Sequence, residues 1–463
     1  MDFPLFHLDF FGNRMLIAVI AILHVFINHA LAVGAMPLIT LLEWRGYRTG
    51  EVAWDRLAYR ILAVCFIITT SVGALTGVGI WFSASLVNPA AIGSLIRVFF
   101  WAWFTEWIVF VTEVALILVY FLTWKGWGAR NKRKHIVVGA VLSAASWGTM
   151  AIIVAILGFM MDSGTWPQQP SFLHGVLNPI YLPQLLFRTP YAMVAAGLFA
   201  LMLVWFFTEK GGAFRPRAIR FVAIWVVVWL PLCLGGALAY WFAIPDYMRS
   251  NFPVALATQA FENWHTALGW IIAGAAGLIL CVVALAALVP KRFPRVALAM
   301  PFVLCVLLLG YFERVREFVR KPYVIESYMY ANGIRRDAYP MLAEDGLLAH
   351  ATYASVREIN DENRLVAGED VFRIACTRCH TTTGVNGVVA KLTNLYGEPP
   401  WNASVVSTYL SNMHNTRPFM PPFPGNEVER DALTAYLLSL PEAGTALRGA
   451  QSAGVKIAAS DAG

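Results

Sequence analysis

The sequence predicts an all-α membrane protein: a bundle of about eight transmembrane helices followed by a small helical domain. Three observations carry this. Of 463 residues, 58% are apolar and only 14% charged, where soluble domains average roughly 25%. Eight apolar stretches approach the ~20 residues a bilayer crossing needs. The charge is also divided: residues 1–322 hold 24 Lys and Arg against 13 Asp and Glu, and residues 323–463 hold 11 against 15. The overall +7 therefore belongs to loops flanking a lipid bilayer and predicts no nucleic-acid partner. The acidic C-terminal part suits a basic soluble partner.

The eight stretches lie near 15–42, 57–82, 97–123, 135–161, 185–208, 218–244, 262–288 and 295–316. The opening "MDFPLFHLDFFGNR" has no basic segment and no small-residue cleavage site, so the first helix is expected to be retained. Loops 43–60, 124–135, 208–220 and 290–295 carry 16 Lys and Arg; the N-terminus and loops 83–97, 162–188 and 245–261 carry four. The positive-inside rule then places both termini outside. This predicts a multi-pass protein of a bacterial inner (cytoplasmic) membrane with a periplasmic C-terminal domain. Residues 323–365 read as an ordered linker on the outer membrane face, 366–440 as the small domain, and 441–463 as a flexible tail.

Four cysteines, Cys65, Cys233, Cys281 and Cys305, stand alone in apolar runs and read as packing residues. Cys376 and Cys379 form the one close pair, in "CTRCH". Two thiols and a histidine at this spacing suit covalent haem attachment, with His380 as proximal iron ligand. A zinc knuckle shares the spacing, but the context favours haem. "GEDVFRIACTRCH" puts a short amphipathic helix before the motif, "DALTAYLLSL" supplies one after it, and "NTRPFMPPFPGN" holds Met420 between prolines as sixth ligand. His414 and Met413 are its rivals. The domain resembles class I cytochrome c over about residues 366–440, which implies one covalent haem c.

Charges in hydrocarbon are costly and mark candidate sites. His24 lies ten residues into the first stretch, about 15 Å along a helix. Its imidazole either bonds a neighbouring helix or holds iron. His29 sits ~140° around from it, off its face, so the pattern does not point to one metal held by both. His265 opens the seventh stretch, as an interfacial residue or a ligand. Glu106 and Glu113 are two turns apart on one face, suiting a proton path, a metal ligand with a relay, or a pair of structural acids. Glu313 and Glu317 share a face beside Arg314, Arg316, Arg320 and Lys321, a basic cluster on the outer side that haem propionates, headgroups or local salt bridges would satisfy.

These segments resemble subunit I of the cytochrome bd oxidases over about residues 10–330. "NRMLIAVIAILHVF" looks like that family's first helix, with Arg14 before the haem-ligating histidine, here His24. "FTEWIVFVTEVALI" is similar to its third helix and carries two functional carboxylates onto Glu106 and, with a one-residue offset, Glu113. "EFVRKPYVI" looks like its Glu-x-Gly-Arg-Gln-Pro-Trp-x-Ile segment, carrying a haem-ligating glutamate onto Glu317 and an arginine onto Arg320. The departures are equally specific. Loop 245–261 is too short for the family's quinol site. Arg188 stands where the fifth helix has a low-spin haem ligand, so that haem is lost or rebuilt, with His265 the candidate for rebuilding. The ninth helix is replaced by the cytochrome c domain.

The resemblance implies b-type haems, two by expectation, with haem d also compatible. His24 and Glu317 or Glu106 would bind iron, and Arg188, Arg314, Arg316 and Arg320 would meet propionates. It also implies a second membrane subunit, and the outer haem implies a periplasmic redox protein. The expected function is a membrane-bound respiratory electron-transfer cytochrome, in its fullest form a cytochrome c-fed oxidase reducing O2. The alternative is a non-oxidase haem anchor that links a periplasmic dehydrogenase or cytochrome to the membrane chain.

Overall fold

The computed structural model describes residues 6–256, 265–292 and 294–441, with the backbone alone at 265, 292, 295 and 296. The expected tail beyond 441 lies outside them, as does the side chain of His265. Among the described residues, eight helical spans are long and apolar enough to cross a membrane: Asn13–Thr49, Val52–Val87, Phe100–Thr123, Lys132–Met161, Tyr181–Phe207, Phe214–Ala243, Thr266–Leu288 and Ala297–Val319. They coincide with the eight stretches expected from hydropathy. The chain divides into two compact units. The first comprises Ala18–Trp81 and Ser94–Val319; the second comprises the N-terminal segment through Ile17, Phe82–Gly93 and the chain from Arg320.

In the first unit, the fifth span is the central helix, with 72% of its apolar window buried against 11% for the third. Small residues allow close backbone approach where association between apolar helices rests on van der Waals packing. A Cβ on Gly34 would lie 2.0 Å from the Ala192 carbonyl oxygen, and one on Gly236 would lie 2.3 Å from that of Leu186. The first two spans are not regular. Each contains a π-helical segment, Asn28–Val33 and Thr69–Gly73. In the first, the Gly34 amide reaches back five residues to the His29 carbonyl, 2.9 Å away. Such segments concentrate at functional sites because they redirect side chains without ending the helix.

At the basic-loop end of this unit, a polar network is sealed in the core. Glu43 is completely buried. It accepts from the Tyr120 hydroxyl (2.7 Å) and His135 Nδ1 (2.6 Å) and pairs with Lys132 (2.9 Å). Lys132 also meets Asp55 at 2.6 Å, and His135 Nε2 lies 2.9 Å from the Tyr120 carbonyl. A buried carboxylate is tolerated only when its lone pairs are matched in this way. The network joins the first four spans.

The second unit is the C-terminal domain with its flanking segments. A short antiparallel ribbon, Tyr323–Ile325 with Met329–Tyr330, follows Arg320. Helices α1 (Arg364–Ala375), α2 (Val388–Tyr396), α3 (Ala403–Thr416) and α4 (427–441) then build the domain. The segment read as a linker is part of it: Leu342, Leu347 and Leu348 share one core with Val371, Phe372, Val406 and Leu433. Two buried carboxylates fasten that segment. Glu429 accepts from the Leu347 and Leu348 amides at 2.7 Å each, and Asp370 accepts from the Ser355 and Val356 amides at 2.6 and 3.1 Å.

Candidate haem sites

The covalent site forms where α1 ends. The Cys376 amide still bonds the Phe372 carbonyl (2.9 Å), and the His380 amide bonds that of Cys376 (2.8 Å). One turn of backbone thus presents both thiols and the imidazole together. Both cysteines are free. Burial pushes the Cys376 thiol up to about 12. Burial pushes His380 down to about 4, reinforced by Lys391 and Arg14, so the ring is neutral, as an iron ligand must be. Its Nδ1 donates to the Asn386 carbonyl (3.1 Å), which leaves the Nε2 lone pair for metal. Asn386 sits at φ +60 and donates from Nδ2 to the Cys379 carbonyl (2.7 Å), closing the loop that carries this acceptor. Asn386 escaped the sequence reading because its role depends on backbone conformation.

Met420 is half-buried, and its sulfur accepts from the Tyr409 hydroxyl at 3.7 Å. Of its rivals, His414 keeps Nε2 open and Met413 is enclosed. His414 Nδ1 bonds the Met420 carbonyl (2.5 Å), and Met413 is buried in the domain core. Arg378, within the motif, donates to the Ile374 carbonyl (2.7 Å) and keeps a buried Nε–H without a partner. A buried donor left without a partner next to the motif suits an acceptor that a bound group would bring. The residues present therefore fit haem c.

In the bundle, His24 Nδ1 lies 3.2 Å from both the Gly73 carbonyl and the Thr76 hydroxyl. A carbonyl only accepts, so Nδ1 carries the proton and Nε2 keeps its lone pair. Gly77 lies flush on the ring: a Cβ there would come within 3.1 Å of His24 Cε1. Both contacts come from the second span, the carbonyl from its π segment. His29 uses both nitrogens, with Nδ1 donating to the Val25 carbonyl (2.9 Å) and Nε2 accepting from Arg188 (3.2 Å). Among the described residues no cluster of three or more His, Cys, Asp or Glu is arranged to hold an ion.

Arg188, expected to meet a propionate, is 1% exposed and donates to Glu313 (2.8 Å) as well as to His29. Arg316 holds the other Glu313 oxygen at 2.8 Å. The local salt bridge is therefore formed at Glu313, while Glu317 is half-buried. Arg188 Nε, Arg316 Nη1 and both amide atoms of the buried Gln184 have no hydrogen-bond partner. These atoms suit an anionic or polar group on a bound porphyrin. Gln184 was missed because a lone glutamine in an apolar run carries no pattern. Arg314 donates to the Ala255 carbonyl (3.2 Å), and Arg320 to that of Val324 (3.0 Å).

Glu113 is buried and accepts from Ser146 (2.6 Å) and Thr149 (3.2 Å) on the fourth span. Glu106, on the same helix, is half-buried and makes no such bond among the described residues. The two acids thus differ: one is locked, the other open.

Residues 363–437 match the family described as "Cytochrome C oxidase, cbb3-type, subunit III". No curated protein sequence matches the chain. Among solved structures, the bd oxidase from Geobacillus thermodenitrificans is similar at a TM-score of 0.57 and 15% identity, covering 70% of this chain and 90% of that one. The chain thus joins a C-terminal cytochrome c domain to a bundle with the fold of a bd oxidase chain, and it is a membrane haem protein of electron transfer.

Proposed function

We propose that the protein passes electrons between its haem c and b-type haems in the bundle, and that it reduces O2 as a cytochrome c-fed, bd-like oxidase. The observation that carries this reading is His24, fixed through Nδ1, backed by a glycine and presenting Nε2 inside an apolar bundle. An imidazole that merely joined two helices would have no need of a ring-sized glycine contact.

The bound porphyrins supply the one-electron chemistry. His380 and Met420 would hold the iron in the outer domain, where the Tyr409 hydroxyl would draw electron density from the sulfur. His24 would hold one iron in the bundle, and Glu317 or Glu106 would serve a second. Gln184, Arg188 and Arg316 offer N–H donors to acidic substituents, and Arg314 and Arg320 add positive charge. Glu106, free to turn, receives a proton from Glu113, which Ser146 and Thr149 hold in place. His265 is a further ligand candidate. A second membrane subunit and a periplasmic donor complete the assembly, with both termini periplasmic.

Carbon monoxide added to the reduced, detergent-purified protein tests the oxidase. A shifted b-haem band is expected; an unchanged spectrum leaves the anchor reading, in which every iron is fully ligated. His24→Ala should remove one b signal and spare the c band; an intact b spectrum rejects the assignment.

A further inference from the structure

We propose that the N-terminal strap, acting through Asp9, is a positioning element for the covalent haem: it clamps the loop that follows His380 and thereby raises the donor strength of that ligand and lowers the haem potential. The inference rests on reading "CTRCH" as a haem c site.

The strap and the loop belong to the same compact unit although 373 positions separate them. Asp9 Oδ1 accepts from the Thr382 amide (2.6 Å) and Oδ2 from the Thr382 hydroxyl (2.5 Å). The Val385 amide donates to the Phe10 carbonyl (3.2 Å). Gly384 admits this pairing, since a Cβ there would lie 2.1 Å from the Asp9 carbonyl oxygen. Gly12, at φ +82, rests on Thr381, which is fully buried and donates to the Val385 carbonyl (3.0 Å). The strap is itself braced: Asn13 accepts from the Leu8 amide (3.0 Å) and donates to the Phe6 carbonyl (2.7 Å).

This loop supplies the carbonyl of Asn386 to His380. Its register decides how well the imidazole N–H is held, and that bond controls how strongly the ring donates to iron. Burial works against the charge of Asp9, yet hydrogen bonds from Thr382 and His7 outweigh it and hold the carboxyl below its usual range. A fixed anion near the site also favours ferric over ferrous iron. Removing Asp9 weakens both effects in one direction, toward the reduced state.

The test is a redox titration of the c band in intact, haem-loaded protein, paired with amide exchange over 381–388. Asp9→Ala should raise the reduced-to-oxidised ratio at fixed ambient potential three- to tenfold, the upper end being about 59 mV for one electron. Amide exchange in the loop should speed up. Thr382→Val should shift the ratio the same way by less, Thr382→Ser should restore the native value, and the double variant should not exceed Asp9→Ala. An unchanged or lowered potential with unchanged exchange overturns the proposal and reduces the strap to packing. If Asp9→Ala fails to accumulate, the Thr382 pair decides by the same criteria. Absence of any covalent haem in the native protein is a different failure, of the site itself.

Discussion

His24 and Gly77 show how a single missing methyl group defines a site. Any side chain at 77 pushes on the ring that Gly73 and Thr76 hold. Gly77→Val should lower the bundle haem content several-fold without altering the c band, as read by the haem-to-protein ratio. Tyr409→Phe should act only on the outer haem. Losing the hydroxyl over Met420 strengthens the sulfur as a donor, so the c potential should fall in a redox titration. Ser146→Ala deprives buried Glu113 of its 2.6 Å donor. A cost of about 1–3 kcal/mol is expected for the unsatisfied carboxyl, measured as a lowered melting temperature in detergent. In the oxidase reading, turnover slows as well.

At the scale of elements, hydropathy was enough to place eight spans, because a helix crossing lipid must be apolar along its whole length. The haem attachment motif was equally legible, since all of its chemistry lies within five residues. What was illegible shares a different character. His24 meets partners 49 and 52 positions away, Glu43 meets His135 at 92, and Arg188 meets Glu313 at 125. Each is an isolated polar residue whose meaning depends on which helix packs beside it. The carboxylate at Glu43 illustrates the point, since nothing in its local sequence marks it and it is the buried knot of four spans. Glu43→Ala strands His135 in the core and leaves Lys132 with Asp55 alone. A loss of about 3–5 kcal/mol is expected for breaking a buried pair, visible as earlier thermal aggregation, whereas a surface change such as Arg60→Ala should leave the transition in place.

For the whole molecule, haem stoichiometry is the decisive quantity. One c and two b haems per chain are expected from a pyridine haemochrome assay, and His24→Ala should leave one of each. The boundary of the outer domain has an experimental consequence. Leu342, Leu347 and Leu348 lie in the same core as α1 and α4, and Glu429 caps the Leu347 and Leu348 amides. The segment between bundle and domain is a plinth. A soluble fragment cut at 366 would leave part of its foundation behind and display an oily scar, so it should clump on a sizing column. A fragment beginning near 332 carries its own footing and should run as a single species.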